Sequence, residues 1–151
     1  MPTEQETRQV NEQTVRDFLR LLAEKNLDAW ATLWTENAVQ EMPFSPAGFP
    51  IRVEGRDPLL DHYSGLPQAY GAMSFDDLVL YPMSDLNWVL AEYRGEIDVL
   101  ATGRPYNNHY YSLFHLRDGR IALFREYYNP IVLTEAFGDA AGLAQSFSLN
   151  H

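Results

Sequence analysis

Glu126 stands in the run RIALFREYYNP, a carboxylate set among aromatic and aliphatic neighbours. A carboxyl group withdrawn from water holds its proton to higher pH, which suits it to give and take protons near neutrality. His62, in GRDPLLDHY, falls on a predicted helix beside Leu59, Tyr63 and Leu66, where a lone histidine is more often a packed or surface residue than a catalyst. Tyr111 and His109, in YNNHYYSLFHL, bring donors able to steady negative charge that develops on an oxygen. Glu41, on a strand before Pro43, is a candidate second acid. Asp98 is another, at the end of a run in which Glu92, Arg94, Glu96 and Asp98 share one strand face by alternation. The plain alternative for Glu126 is an ion pair with Arg94, Arg104 or Arg125 that only satisfies its charge.

Other chemistries find little support. The sequence has no Cys, hence no thiolate nucleophile and no Cys-based metal site. His109 and His115 are separated so as to share a strand face, but they lie roughly 20 Å apart at strand rise and cannot hold one ion. No Gly-rich phosphate loop, Walker motif or dinucleotide fingerprint occurs, and no G-x-S-x-G elbow. The expectation is chemistry without a cofactor or metal. With 21 acidic against 11 basic residues, the formal charge of -10 argues against nucleic acid or an anionic membrane as partner. The N-terminus is too polar for a signal peptide and no apolar run reaches membrane-spanning length, so a cytoplasmic location is expected.

The elements that must position these groups follow an α+β order. The 151 residues fit one domain, with a core over about 9–138 and a loose C-terminal tail. Thr3 with Glu6 forms a capping box, and Val10, Thr14, Phe18 and Leu21 recur at helical spacing, seconded by Val15, Leu19 and Leu22. Asn26 or Asp28 starts a second short helix carrying Trp30, Leu33 and Trp34. A short strand and a Pro/Gly-broken loop occupy 39–51. A third helix is predicted with Asp57 as N-cap and Pro58 at its first position. Four strands follow in SFDDLVLYP, NWVLAEYRGEIDVL, YNNHYYSLFHL and RIALFREYY, and Asn129-Pro130 then caps a short helix, IVLTEAFG. Trp30, Trp34 and Trp88 read as core or pocket wall.

Asp118-Gly119 suits a two-residue hairpin turn, and counting from it sets a register. Arg117 pairs with Arg120, His115 with Ala122, Leu113 with Phe124, Tyr111 with Glu126 and His109 with Tyr128. One face then carries His109, Tyr111, Leu113, Phe124, Glu126 and Tyr128. Both faces are largely apolar, which predicts that one lines a core or pocket and the other meets a second copy in a homodimer.

The stretch ATGRPYNNHYYSLFHLRDGRIALFREYYNP, with EMPFSPAG and VEGRDPLLDHY before it, resembles the SnoaL-like branch of the nuclear-transport-factor-2-like superfamily from about Gln9 to Gly138. Within it, GRDPLLDHY and LFREYYNP are most similar to the phenazine-biosynthesis A/B proteins. The resemblance implies a curved sheet wrapped into a cone by N-terminal helices, usually dimeric, with a pocket in the mouth of the cone. In the phenazine A/B proteins the proposed acid/base pair is a glutamate in the FRE segment and a histidine after GRD. Glu126 and His62 stand at those positions. Past His62, YSGLPQAYG departs from the phenazine pattern, so a phenazine precursor is not carried over as substrate. Ketosteroid isomerases place a tyrosine and a base aspartate where this chain has Phe18 and, at or beside the second position, Met42. Limonene epoxide hydrolases use an Asp-Arg-Asp set whose acids match Asp98 and Glu126, with Glu96 near the place of the arginine. SnoaL-type cyclases, with a pocket acid and no cofactor, are compatible.

The expected function is acid/base catalysis on a small, mostly apolar, carbonyl-type molecule by isomerisation, cyclisation, condensation or dehydration. Glu126 moves the proton, His62 assists, and Tyr111 or His109 steadies the oxygen. Phe124, Tyr128, Leu113, Glu41, Trp88 and Asp98 complete the expected pocket. The alternatives are a non-catalytic, dimeric small-molecule-binding module and an epoxide-hydrolase-like hydrolase.

Overall fold

A computed structural model describes residues 1–138. The predicted loose tail lies outside the described residues. The capping box forms as the spacing predicts, with Thr3 Oγ1 accepting from Glu6 N and the Glu6 carboxylate accepting from Thr3 N. It opens α1 (Glu4–Ala23). The helix buries Asn11, Thr14, Val15, Phe18, Leu19, Leu21 and Leu22, while Val10 is exposed. Asn11 occupies the buried place because its amide donates to Leu86 O, and Thr14 Oγ1 donates to Gly119 O; the helix is thereby pinned to two hairpin turns. Asn26 caps α2 (Leu27–Ala31). The expected helix carries Trp30 but ends before Leu33 and Trp34, and Trp34 instead begins β1 (Trp34–Glu41).

After the 42–51 loop come β2 (Arg52–Glu54) and α3 (Arg56–Tyr63). The N-cap of α3 is Gly55, not Asp57. Its φ of 93° favours glycine, and Leu59 N donates to its carbonyl to close the first turn. Then follow α4 (Leu66–Ala69), β3 (Tyr70–Pro82), β4 (Trp88–Val99), β5 (Arg104–Arg117), β6 (Arg120–Tyr127) and α5 (Pro130–Phe137). Asn129 caps α5 through Ile131 N, as predicted.

The strands form one curved sheet in the order β2-β1-β6-β5-β4-β3. Neighbours run antiparallel except β1 and β6, which are parallel. The concave face packs on α1, and Phe18, Trp30, Trp34, Phe114 and Phe124 interlock beneath it at centroid distances of 4.8–6.2 Å. Gly95 lets β4 curve under the rings, since a Cβ there would stand 2.8 Å from Tyr110 Cε2.

The terminal hairpin departs from the counted register. Asp118 and Gly119 both take positive φ, 52° and 77°, as the two-residue turn requires. Arg117 pairs with Arg120 and Leu116 with Ile121, but His115 then faces Leu123, and Ala122 is an extra, bulged residue. Beyond the bulge Phe114 pairs with Phe124, Ser112 with Glu126 and Tyr111 with Tyr127. One added residue exchanges the faces. Phe124, Glu126 and Tyr128 therefore share the concave side with Ser112 and Tyr110, and Tyr111, His109 and Leu113 turn to the convex side.

Candidate active site

Alternation along β4, β5 and β6 sends Tyr93, Ile97, Tyr106, Tyr110 and Glu126 inward, and β1 sends Gln40. His62 and Tyr63 enter from α3, Leu66 from α4, and Tyr70, Met73 and Phe75 from β3. Together they enclose a cavity of about 120 Å³. A space of that order holds one small ring. Phe18, Leu19 and Leu22 of α1 line it as well. Phe137 of α5, another lining residue, meets Phe49, Tyr70 and Tyr106 with centroids 6.0–6.5 Å apart.

Among the described lining residues Glu126 is the one carboxylate, and none is Lys or Arg. Glu126 makes no hydrogen bond or ion pair among the described residues, and burial alone raises its pKa to about 7. Its side chain is half-buried on the cavity wall. The arginines that offered the plain alternative are engaged elsewhere. Arg125 bonds Glu41 at 3.0 Å, Arg94 lies 3.9 Å from Asp77, and Arg104 donates to Glu135 O.

Six tyrosines feel the charge of Glu126: Tyr63, Tyr70, Tyr93, Tyr106, Tyr110 and Tyr128. Burial first, with the negative charge on Glu126 acting in the same direction, raises all six phenols. Tyr128 is pushed up to about 12, and the others stay protonated throughout the physiological range. The hydroxyls are tied into the wall: Tyr63 donates to Gln40 Oε1 at 2.8 Å, Tyr93 lies 2.8 Å from Ser112 Oγ, and Tyr128 lies 2.7 Å from Ser45 Oγ. Buried Asn108 donates to Tyr106 Oη and Asn129 O and accepts from Asn129 N, which clamps the end of β6 to β5.

Of the residues named from sequence, the structure brings Glu126, His62 and Tyr128 to the cavity wall. Phe18 and Met42, at the positions where an isomerase of the ketosteroid type has its polar groups, also line it. Phe124 lies one layer deeper, stacked on Phe114 at 4.9 Å. The rest stand elsewhere. Tyr111 and His109 sit on the convex face and both bind Glu92, at 2.8 and 2.7 Å. Leu113 shares that face as a result of the bulge. Glu41 is held by Arg52 and Arg125, an alternate position of β1 that points away from Gln40. Trp88 stacks on His115 at 4.6 Å, and Asp98 is exposed. Sequence reading missed Gln40, since a glutamine in an alternating strand passes for a solvent-facing residue. It also missed the tyrosine ring, which curvature assembles from separate elements.

A family model described as the SnoaL-like domain matches residues 15–124. The uncharacterised protein YesE of Bacillus subtilis is 40% identical over 83% of this chain and 86% of its own. An uncharacterised PhzA/B-like protein of Pseudomonas aeruginosa is 30% identical over 84% of this chain and 89% of its own. A solved Bacillus subtilis structure, provisionally named an isomerase, superposes with a TM-score of 0.82. It is 38% identical and covers 91% of this chain and 96% of that one.

Proposed function

The chain belongs to the SnoaL-like family, and on that premise we propose that it catalyses proton transfer on a small, mostly apolar carbonyl compound, in an isomerisation or a related cyclisation or dehydration. The observation that carries this reading is Glu126: a carboxyl group without a partner among the described residues, raised to about 7 by burial, on the wall of an apolar cavity. At that value both protonation states are populated near neutrality, so one group takes a proton from carbon and returns it elsewhere on the same molecule. His62, on the same wall, is the assisting acid/base group. The isomerase name of the solved Bacillus subtilis relative accords with such a reaction. The hydrolase alternative required Asp98 beside Glu126, and Asp98 is exposed on the other face.

The same reading takes the working unit as a homodimer. On the convex face Val79, Tyr81 and Tyr111 are exposed beside half-buried Leu90 and Leu113, an apolar stretch that a second copy would cover. Light scattering on the eluting protein is expected to give twice the chain mass, and Leu113→Arg to give the single chain.

The test of the chemistry is exchange of α-hydrogens for deuterium in a panel of small ketones, followed by NMR. The protein is expected to accelerate exchange for a subset, and Glu126→Gln to abolish it. Binding of those ketones without exchange would instead support a binding module.

A further inference from the structure

A base that draws a proton from beside a carbonyl leaves negative charge on the oxygen, and a site that stabilises this charge needs a fixed donor there. Gln40 has the attributes of one. It is 1% exposed, lines the cavity, and pairs with Phe124 across the parallel β1–β6 join. Glu126 is therefore its diagonal neighbour on the concave face, about 8 Å away from strand spacing and rise. That gap spans a carbonyl oxygen and the carbon next to it.

The orientation of the amide follows from its partner. Tyr63 is buried and neutral, so its O–H must donate, and the acceptor it has is Gln40 Oε1 at 2.8 Å. The oxygen side of the amide is thus committed to the wall. The Nε2 side keeps both its hydrogens, with no acceptor among the described residues. Met42, just past the end of β1 and also on the cavity wall, offers no strong competing side-chain acceptor.

We infer that Gln40 Nε2 is the donor that holds and polarises a carbonyl oxygen of the ligand, with Tyr63 as the positioning residue that fixes the amide. The inference rests on the acid/base reading above and names the group the ligand must carry: an oxygen that accepts a hydrogen bond.

The experiment measures binding of cyclohexanone, methylenecyclohexane and cyclohexanol to the full chain, by calorimetry, with the bound ketone's C=O stretch recorded by infrared spectroscopy. The intact protein is expected to prefer the ketone to its hydrocarbon isostere by about tenfold, the order of one well-made hydrogen bond in a buried site. The bound C=O stretch moves to lower frequency. Gln40→Met keeps hydrocarbon binding while the preference falls to about one and the frequency shift is lost. Tyr63→Phe frees the amide to rotate and is expected to give an intermediate preference and a broadened band.

A preference that survives Gln40→Met, no preference for the ketone over the hydrocarbon in the intact protein, or no binding of any of the three would each overturn the assignment. Tighter binding of the alcohol supports it only where Gln40→Met weakens that binding too, and overturns it otherwise. Failure of the acid/base reading looks different: exchange is absent while the preference and the frequency shift persist. Glu126→Gln separates the two, because it is expected to abolish exchange and leave the ketone preference in place.

Discussion

The two faces of one sheet carry the same residue types with opposite results. On the concave side Glu126 lies among six tyrosines and holds its proton to about pH 7. On the convex side Glu92 accepts from Tyr81, Tyr111 and His109 at 2.7–2.8 Å, and its pKa is lowered, chiefly by the two phenol hydrogen bonds. The convex phenols spend their protons on the carboxylate. On the concave side Tyr63 donates to Gln40, and Tyr93 and Tyr128 pair with Ser112 and Ser45, so the carboxylate there receives desolvation without compensating phenol hydrogen bonds. What separates the acid with the lowered pKa from the one with the raised pKa here is whether the neighbouring hydroxyls donate to it.

The largest expected effect comes from removing the inner acid. Glu126→Gln should lower α-hydrogen exchange by about 10²–10⁴-fold, the usual contribution of a positioned general base, whereas Glu92→Gln leaves it unchanged. Equal losses from the two would erase the contrast. Next is the supply of a partner that Glu126 lacks among the described residues. Met42→Lys places a cation beside Glu126 and should bring its pKa down by about 1–3 units, read from the carboxyl carbon in an NMR titration.

Stability should separate the faces by sign. Glu126 has a raised folded pKa, so its unfavourable ionisation in the fold sets in as pH rises from about 4.5, its unperturbed value, through about 7. Glu126→Gln is expected to match the parent at pH 4.5 and to exceed it by roughly 2–3 kcal/mol above pH 8, measured by urea unfolding. Glu92 has a lowered folded pKa and contributes in the opposite sense. Its stabilisation is present above the unfolded value and fades as pH falls through the folded one, so Glu92→Gln loses nothing in acid. The smallest effect is Tyr111→Phe, which removes one donor to Glu92. The carboxyl should titrate at higher pH with no change in exchange or ketone binding.

Much of the fold was legible because its signals are local. The Thr3 capping box, the Asn26 and Asn129 caps and the Asp118-Gly119 turn each need only a few adjacent residues, and each forms. Glu126 was also legible, as a carboxylate in an apolar run, and His62 through the family resemblance. The partners of Glu126 were not, because a register counted outward from the turn assumes unbroken pairing. Ala122 carries no mark of a bulge. The one available signal was the spacing of Ile121 and Phe124, two large apolar residues that strict alternation would place on opposite faces and that the structure buries together. Gly55 took the cap from Asp57 because a positive φ was needed one turn before Leu59, and the composition of a loop does not reveal φ.

The parallel join of β1 and β6 has a consequence for how the molecule comes into being. The side chains that meet across it, such as Glu41 and Arg125, are 84 positions apart, and no hairpin brings them together. Contacts between remote stretches of chain are slow to form, since the intervening polymer must first be ordered. Gln40 and Glu126 become neighbours only through this late closure. A chain emerging from the ribosome therefore carries β3 to β5, with much of the tyrosine ring, before the carboxylate that these rings surround has been synthesised.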